Sequence, residues 1–337
     1  MKKFAVFALV SVLFVSLSFA AFADDQPVTL VMADGSAKGA VANLWSELFI
    51  EKLAGLTDNK LTVEYHGNSE LGGDKDIITQ MQTGKIDMCA MQPMNAVTFV
   101  PELGVFELPL VFAKYNAETI DKVVKPGSKF FEALNGAFRN AGFELIDYLQ
   151  GGTYREMSSN VPARKLDDFK GIKIRTLSSE YQVSFWNNLG CEPVPLDFSG
   201  LYDALKNGTV EAEENAIDTQ VNSKFYEVQK YLILTHHMLY GNLLYMTKAK
   251  FDSLAPAYQK AVSDAAQAAS SELAKKLKAI NDDALAVMKS NGVEVIELSD
   301  AVIDEMINAA GETGGFIRMS IGDELCDLLI NGLEAAR

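Results

Sequence analysis

Arg175 closes the short apolar run Gly171-Ile172-Lys173-Ile174-Arg175-Thr176, which places a guanidinium where a buried strand should meet a cleft. Arg155 lies twenty positions earlier and Asn215 forty positions later. Two-point recognition of a carboxylate requires a planar fork of N–H donors on a rigid element, and arginine supplies it better than lysine. These residue types therefore point to carboxylate binding. Alternatives stay open at each position: Arg175 could pair with Asp197 or Glu214, Glu156 or Glu180 could hold Arg155, and Asn215 could cap a helix beginning near Asp218.

Other chemistries find less support. His66, His236 and His237 sit in no nucleophile or zinc motif, and an adjacent pair is not the i, i+4 arrangement that puts two ligands on one helical face. Glu211, Glu213, Glu214 and Asp218 could bind a metal or do acid/base work, but such a run is more often part solvated face and part salt-bridge partner. Gly72-Gly73 alone is a weak phosphate-loop signal. The expectation is a protein with no catalytic residues, no metal and no cofactor. Cys89, Cys191 and Cys326 are widely spaced and form no metal-ligand cluster, so no disulfide framework is expected, although a Cys191–Cys326 bridge is possible.

The elements that must position these side chains alternate between strand and helix patterns. Residues 28–32 read as a buried strand, followed by a helix over about 38–53 carrying Leu44, Leu48, Phe49 and Leu53. Strands over 61–65 and 86–90 flank a helix over 74–83, a βαβαβ order that implies a parallel sheet with helices on its faces. A second unit runs from a strand ending at Arg175 through a helix over 181–189, an extended segment over 192–196, a helix over 199–206 and a strand over 210–214. Ligands in open α/β sheets bind beyond the carboxyl ends of strands, where Arg175 and Asn215 stand.

Tyr258, Val262, Ala265, Ala269, Leu273, Leu277, Ile280, Ala284 and Val287 step by three or four, which predicts one continuous helix of roughly 45 Å acting as a spine across both units. The rival is two helices broken near Asn281-Asp282-Asp283. Crossing points between the units are expected near Gly151-Gly152 and Tyr240-Gly241. The expected division is a first α/β domain of residues 24–152 with 241–280 and a second of 153–240 with 281–337.

The N-terminus sets the compartment. Lys2 and Lys3 precede an apolar run from Phe4 to Phe19, and Ala21-Phe22-Ala23 is a small-x-small cleavage site, so residues 1–23 read as a signal peptide. About 314 residues then remain, enough for two cores. The whole chain carries a formal charge of −15, and losing two lysines takes it to −17. Such acidity argues against nucleic acid as a partner and otherwise simply favours solubility. No later segment is apolar enough to span a bilayer, so a soluble, exported product is expected.

Six segments together resemble the solute-binding proteins of TRAP transporters: "ELGGDKDIITQMQTGKIDM" from Glu70, "VFELPLVF" from Val105, "FKGIKIRT" from Phe169, "PVPLDFSGLYDALKNGTVEAEEN" from Pro193, "KFYEVQKYL" from Lys224, and the signal peptide. The resemblance implies a periplasmic receptor with the periplasmic-binding-protein fold: two Rossmann-like α/β domains, joined by crossover strands and a long spanning helix, close over a small organic acid. It also implies partners, the small and large permease subunits in the membrane. On this resemblance the carboxylate-clasping arginine falls on Arg175, a supporting arginine on Arg155, the cleft asparagine on Asn215 and the aromatic residue beside the bound carboxylate on Phe198. Some relatives bind through a metal with a Glu-Trp pair, where this chain has Glu214-Asn215. A ligand-sensing subunit serving a signalling partner is the alternative role.

The first unit should supply the opposite wall through Ala33, Asp34 and Ser36 after its first strand and Gln92 and Asn95 after its third. Gln92 lies where, by the resemblance, binders of polyhydroxylated acids tend to carry an acidic residue. With Met32, Met91, Met94 and Trp186 nearby, the expected ligand is a monocarboxylate with an apolar or aromatic tail, such as an aryl keto or amino acid. A C4-dicarboxylate held by Arg155 and Arg175 together is the alternative.

Overall fold

The computed structural model describes residues 27–337, so the expected signal peptide and its cleavage site lie outside the described residues. Nine strands form one mixed sheet: β1 (Val28–Ala33), β2 (Leu61–His66), β3 (Met88–Met91), β4 (Phe143–Ser159), β5 (Lys173–Thr176), β6 (Glu192–Pro195), β7 (Ala212–Asn215), β8 (Tyr231–Thr247) and β9 (Glu294–Glu297). Their order is β2-β1-β3-β8-β4-β7-β5-β6, with β9 also paired to β8. β1 pairs in parallel with β2 and β3, and β5 with β6 and β7, so each half keeps the expected βαβ logic.

The two halves are welded by β4 and β8, each 17 residues long and antiparallel to one another. β8 pairs with β3 through Leu243–Met246 and with β9 through Tyr231–Leu234, so a single strand serves both halves. The β4–β8 register slips between Gln150 and Tyr154, where Gly152 takes φ +69°. On either side of the slip the strands are in tight contact: a Cβ on Gly151 would lie 2.0 Å from the Tyr240 ring, and one on Gly241 1.9 Å from the Tyr148 hydroxyl. Only glycine fits at these two crossing points.

The helix Pro256–Ser290 runs 35 residues without a break, about 52 Å at the standard rise. Its buried face changes partner along its length. Tyr258, Val262, Ala269 and Leu277 pack with Trp45, Phe49 and Leu53 of the helix Val41–Leu56, whereas Ala284 and Met288 join Leu232 and Val293 of the second half. Asn281, a candidate break point, is instead a tie: its Nδ2 donates to the Gly151 carbonyl at 3.0 Å, on the crossover itself.

Residues 281–337 do not all go with the second half. Val302 and Met306 pack there with Phe169 and Ile174, but Leu325, Cys326, Leu329 and Leu333 bury among Phe130, Leu134 and Phe138 of the first half. The amphipathic helix Asp323–Ala336 thus packs into the core of the first half, a connection that its local sequence pattern does not encode. Cys89, Cys191 and Cys326 are all buried and free, which excludes the Cys191–Cys326 bridge from this structure. Among the described residues, no helix is long and apolar enough to cross a membrane.

Candidate functional site

β5 is flanked on both sides by parallel strands and alternates too little to have a solvent face: Ile174, Arg175 and Thr176 are all buried. The Arg175 guanidinium consequently has no exposure at all. Its Nε donates to the Leu196 carbonyl at 2.8 Å, which orients the fork. Nη1 and Nη2 are buried without a hydrogen-bond partner in the protein. Burial lowers the pKa of Arg175 to about 10, so it is still a cation at neutral pH.

That fork borders a cavity of about 440 Å³, whose inner end continues into a recess of about 50 Å³. Gly35, Asp74, Asn95, Arg175, Leu177 and Phe198 line both parts, so walls from the two halves face each other. Phe198 sits in a short 3₁₀ turn after β6, with the Arg175 Cζ 5.9 Å from its ring centroid. Met94 borders the outer space, and Gln92, Asn215 and Tyr240 border the recess.

Arg155 is equally buried but is fully engaged. From β4 it meets Glu214 on β7, with Nε to Oε2 at 2.5 Å and Nη2 to Oε1 at 2.7 Å and to the Glu214 carbonyl at 2.6 Å, while Nη1 donates to Gln92 Oε1. Neither Glu156 nor Glu180, the partners considered from sequence, holds it. His237 Nε2 adds a contact to Glu214 Oε2 at 3.0 Å. Burial opposes ionisation of Glu214, yet Arg155 and His237 outweigh it and hold the carboxyl at about 2. Asn215 donates to Glu213 Oε2 at 2.7 Å, and Ala216, not Asn215, stands at the N-cap of the helix Ile217–Asn222, with no side-chain cap.

Several residues expected at the site lie elsewhere. Ala33 packs inward with Cys89 and Ile77, and Met32 is fully buried on the other face of the same strand. Asp34 turns away from the cavity to accept from the Ser36 amide at 3.0 Å and the Ser46 hydroxyl at 3.2 Å, as well as from the Tyr65 hydroxyl. Trp186 belongs to the second core, its ring 5.1 Å from Phe185 and 5.0 Å from His237. A helix following β5 presents one face to the sheet, and Trp186 is on that face.

Sequence reasoning missed Asp74. It opens the helix Asp74–Gln82, and Gly72-Gly73 before it mark the loop that leaves β2, so its place after a strand was available as a signal. Burial raises its pKa to about 6; Asp34 adds to the rise and Arg175 opposes it. Asn95 Nδ2 donates to its Oδ2.

Residues 29–313 match the family described as bacterial extracellular solute-binding protein, family 7. The chain is 30% identical over 250 residues to the 2,3-diketo-L-gulonate-binding periplasmic protein YiaO of Escherichia coli, which covers 74% of each chain. It is 30% identical over 295 residues to the C4-dicarboxylate-binding periplasmic protein DctP of Rhodobacter capsulatus, covering 85% of this chain and 84% of that one. Among solved structures, the sugar acid binding protein DctPAm of Advenella mimigardefordensis in complex with galactonate superposes with a TM-score of 0.86 at 26% identity, over 93% of this chain and all of that one.

Proposed function

The chain belongs to the bacterial extracellular solute-binding proteins of family 7, and from that premise we propose that it is the periplasmic receptor of a TRAP transporter, closing over a small monocarboxylate and delivering it to the small and large permease subunits. The observation that carries this reading is the Arg175 fork: fully buried, cationic, and with both Nη groups unpartnered beside a cavity. A buried donor without an acceptor costs free energy, and a ligand carboxylate accepting both Nη groups removes that cost.

Arg155 argues for one carboxylate rather than two. Glu214 and Gln92 occupy its donors, so the second end of a C4-dicarboxylate would meet no free guanidinium in the recess. Phe198, Met94 and Leu177 give the tail an apolar surface, which favours an apolar or aromatic side chain such as that of an aryl keto or amino acid. Arg155 in this reading is a positioning residue: it fixes Gln92 of the first half against Glu214 of the second.

Calorimetry on protein stripped of co-purified solute tests the reading, with native mass spectrometry of the unstripped protein identifying any acid carried through purification. Arg175→Lys should weaken the bound monocarboxylate nearly as much as Arg175→Ala, by about 2–3 kcal/mol, because a point donor cannot replace the fork. A lysine variant with wild-type affinity, or succinate bound more tightly than every monocarboxylate, would overturn it.

A further inference from the structure

The cavity that holds the Arg175 fork also carries carboxylates. Its lining carboxylates are Asp74, Asp76 and Asp197, against the cations Arg175 and Lys75. Asp76 is committed to its own helix, where it accepts from the Gly73 amide at 3.2 Å, and Asp197 is exposed. Asp74 is placed differently. It borders both the outer cavity and the recess, as Arg175 does, and Asn95 Nδ2 fixes the orientation of its carboxylate through Oδ2. The other side of the same amide, Asn95 Oδ1, is buried with no hydrogen-bond partner. At the position facing Asp74 the chain has Gly35, where a Cβ would lie 2.5 Å from Asp74 Oδ1. The lack of a side chain there leaves room for that oxygen.

Binding a carboxylate at Arg175 neutralises the one fully buried cation of the cavity and leaves Asp74 facing a second anion. In a partly dewatered cleft that arrangement is costly unless a positive charge or a proton arrives with the ligand. We propose that Asp74, together with Asn95 Oδ1, selects a protonated amino group on the solute, so that the preferred ligands are zwitterionic amino acids rather than keto or unsubstituted acids. This rests on the reading of Arg175 as the carboxylate clamp. Two buried, unpartnered polar groups of opposite kind, the Arg175 Nη pair and Asn95 Oδ1, border the same space, which is what a zwitterion presents in reverse. Asp74 has a pKa of about 6, so it is mostly ionised at neutral pH and suited to an ammonium group. An acid without the amino group would have to bring a proton to Asp74 as it binds.

Matched ligands separate these cases: phenylalanine, phenylpyruvate and 3-phenylpropanoate, and leucine with 4-methylpentanoate, each titrated calorimetrically at pH 7.5. The amino member should bind the wild type about tenfold to a hundredfold more tightly than its deamino partner. Asp74→Asn, with Asp74→Ser as a second variant, should abolish or reverse that preference while Arg175→Lys weakens every ligand alike. Equal or tighter binding of the deamino and keto members, a preference untouched by both Asp74 variants, or no binding across a full panel of amino acids overturns the proposal. If Arg175→Lys changes nothing, the carboxylate reading itself fails; if only the Asp74 variants are silent, the amino-group selection alone fails.

Discussion

Arg155 and Arg175 are both completely buried in the second half of the sheet, within two strands of each other, yet their surroundings are opposite. The first has a carboxylate at two points, a carbonyl and a side-chain amide as acceptors. The second has one backbone carbonyl and two donors left over. Paired burial of a charge is tolerable and its disruption is not, whereas buried donors without an acceptor are a standing cost to the folded chain. One arginine is thus satisfied within the architecture and the other keeps two donors beside the cavity, and residue type alone does not distinguish them.

The sharpest break of that contrast is in stability. Arg155→Met leaves Glu214 buried without its cation and should cost about 3–5 kcal/mol in urea unfolding of ligand-free protein. Arg175→Met should leave ligand-free stability unchanged or raised, and remove only the stabilisation that ligand confers. Equal losses in the two variants would mean that both arginines are structural.

A smaller effect should appear along the pH axis, at opposite ends for the two residues. Glu214 sits at about 2 in the folded chain, below its ordinary 4.5, so its contribution is complete above 4.5 and disappears as pH falls toward 2. The stability gap between wild type and Arg155→Met should therefore narrow over that acid range. Arg175, lowered to about 10, should instead limit affinity at the alkaline end, with binding fading as pH rises through 10. Urea midpoints and calorimetric titrations against pH would show whether the two limits separate in this way.

The mildest expected effect concerns Phe198, the ring beside Arg175. Phe198→Ala should weaken all carboxylates by about 1 kcal/mol, the scale of an exposed cation–π and stacking contact, and leave the unfolding midpoint nearly unchanged because the ring is only half-buried. A large drop in stability would place Phe198 in the core around Phe225 instead.

Much of this molecule is local and was therefore legible in the residue order. The apolar spacing over 258–287 is the helix Pro256–Ser290, because a continuous buried stripe needs no partner's identity to be recognised. The strands around residues 28, 88 and 174 follow from short, mostly buried apolar runs. Arg175, Asn215, Gln92, Asn95 and Met94 border the cavity because each follows, or stands at, a strand end, a rule that uses chain position alone.

What the residue order could not supply was which way each side chain turns and which distant segment meets it. Ala33, Asp34 and Trp186 occupy expected places in the chain but face the cores or the Tyr65 cluster, since strand pleat and helix phase set orientation only once neighbours are packed. Glu214 rather than Glu156 or Glu180 took Arg155 because β4 and β7 lie side by side, a pairing of residues 59 apart in the chain. The same pairing left Arg175 without a carboxylate hydrogen bond, while Asp74, from the first half, lines the same cavity. Residue types and local periodicity, encoded within a few turns or strands, determined the elements and placed Arg175 at a strand end. The two free donors of Arg175 were decided only when the sheet brought the distant Glu214 into hydrogen-bond contact with Arg155 and not with Arg175.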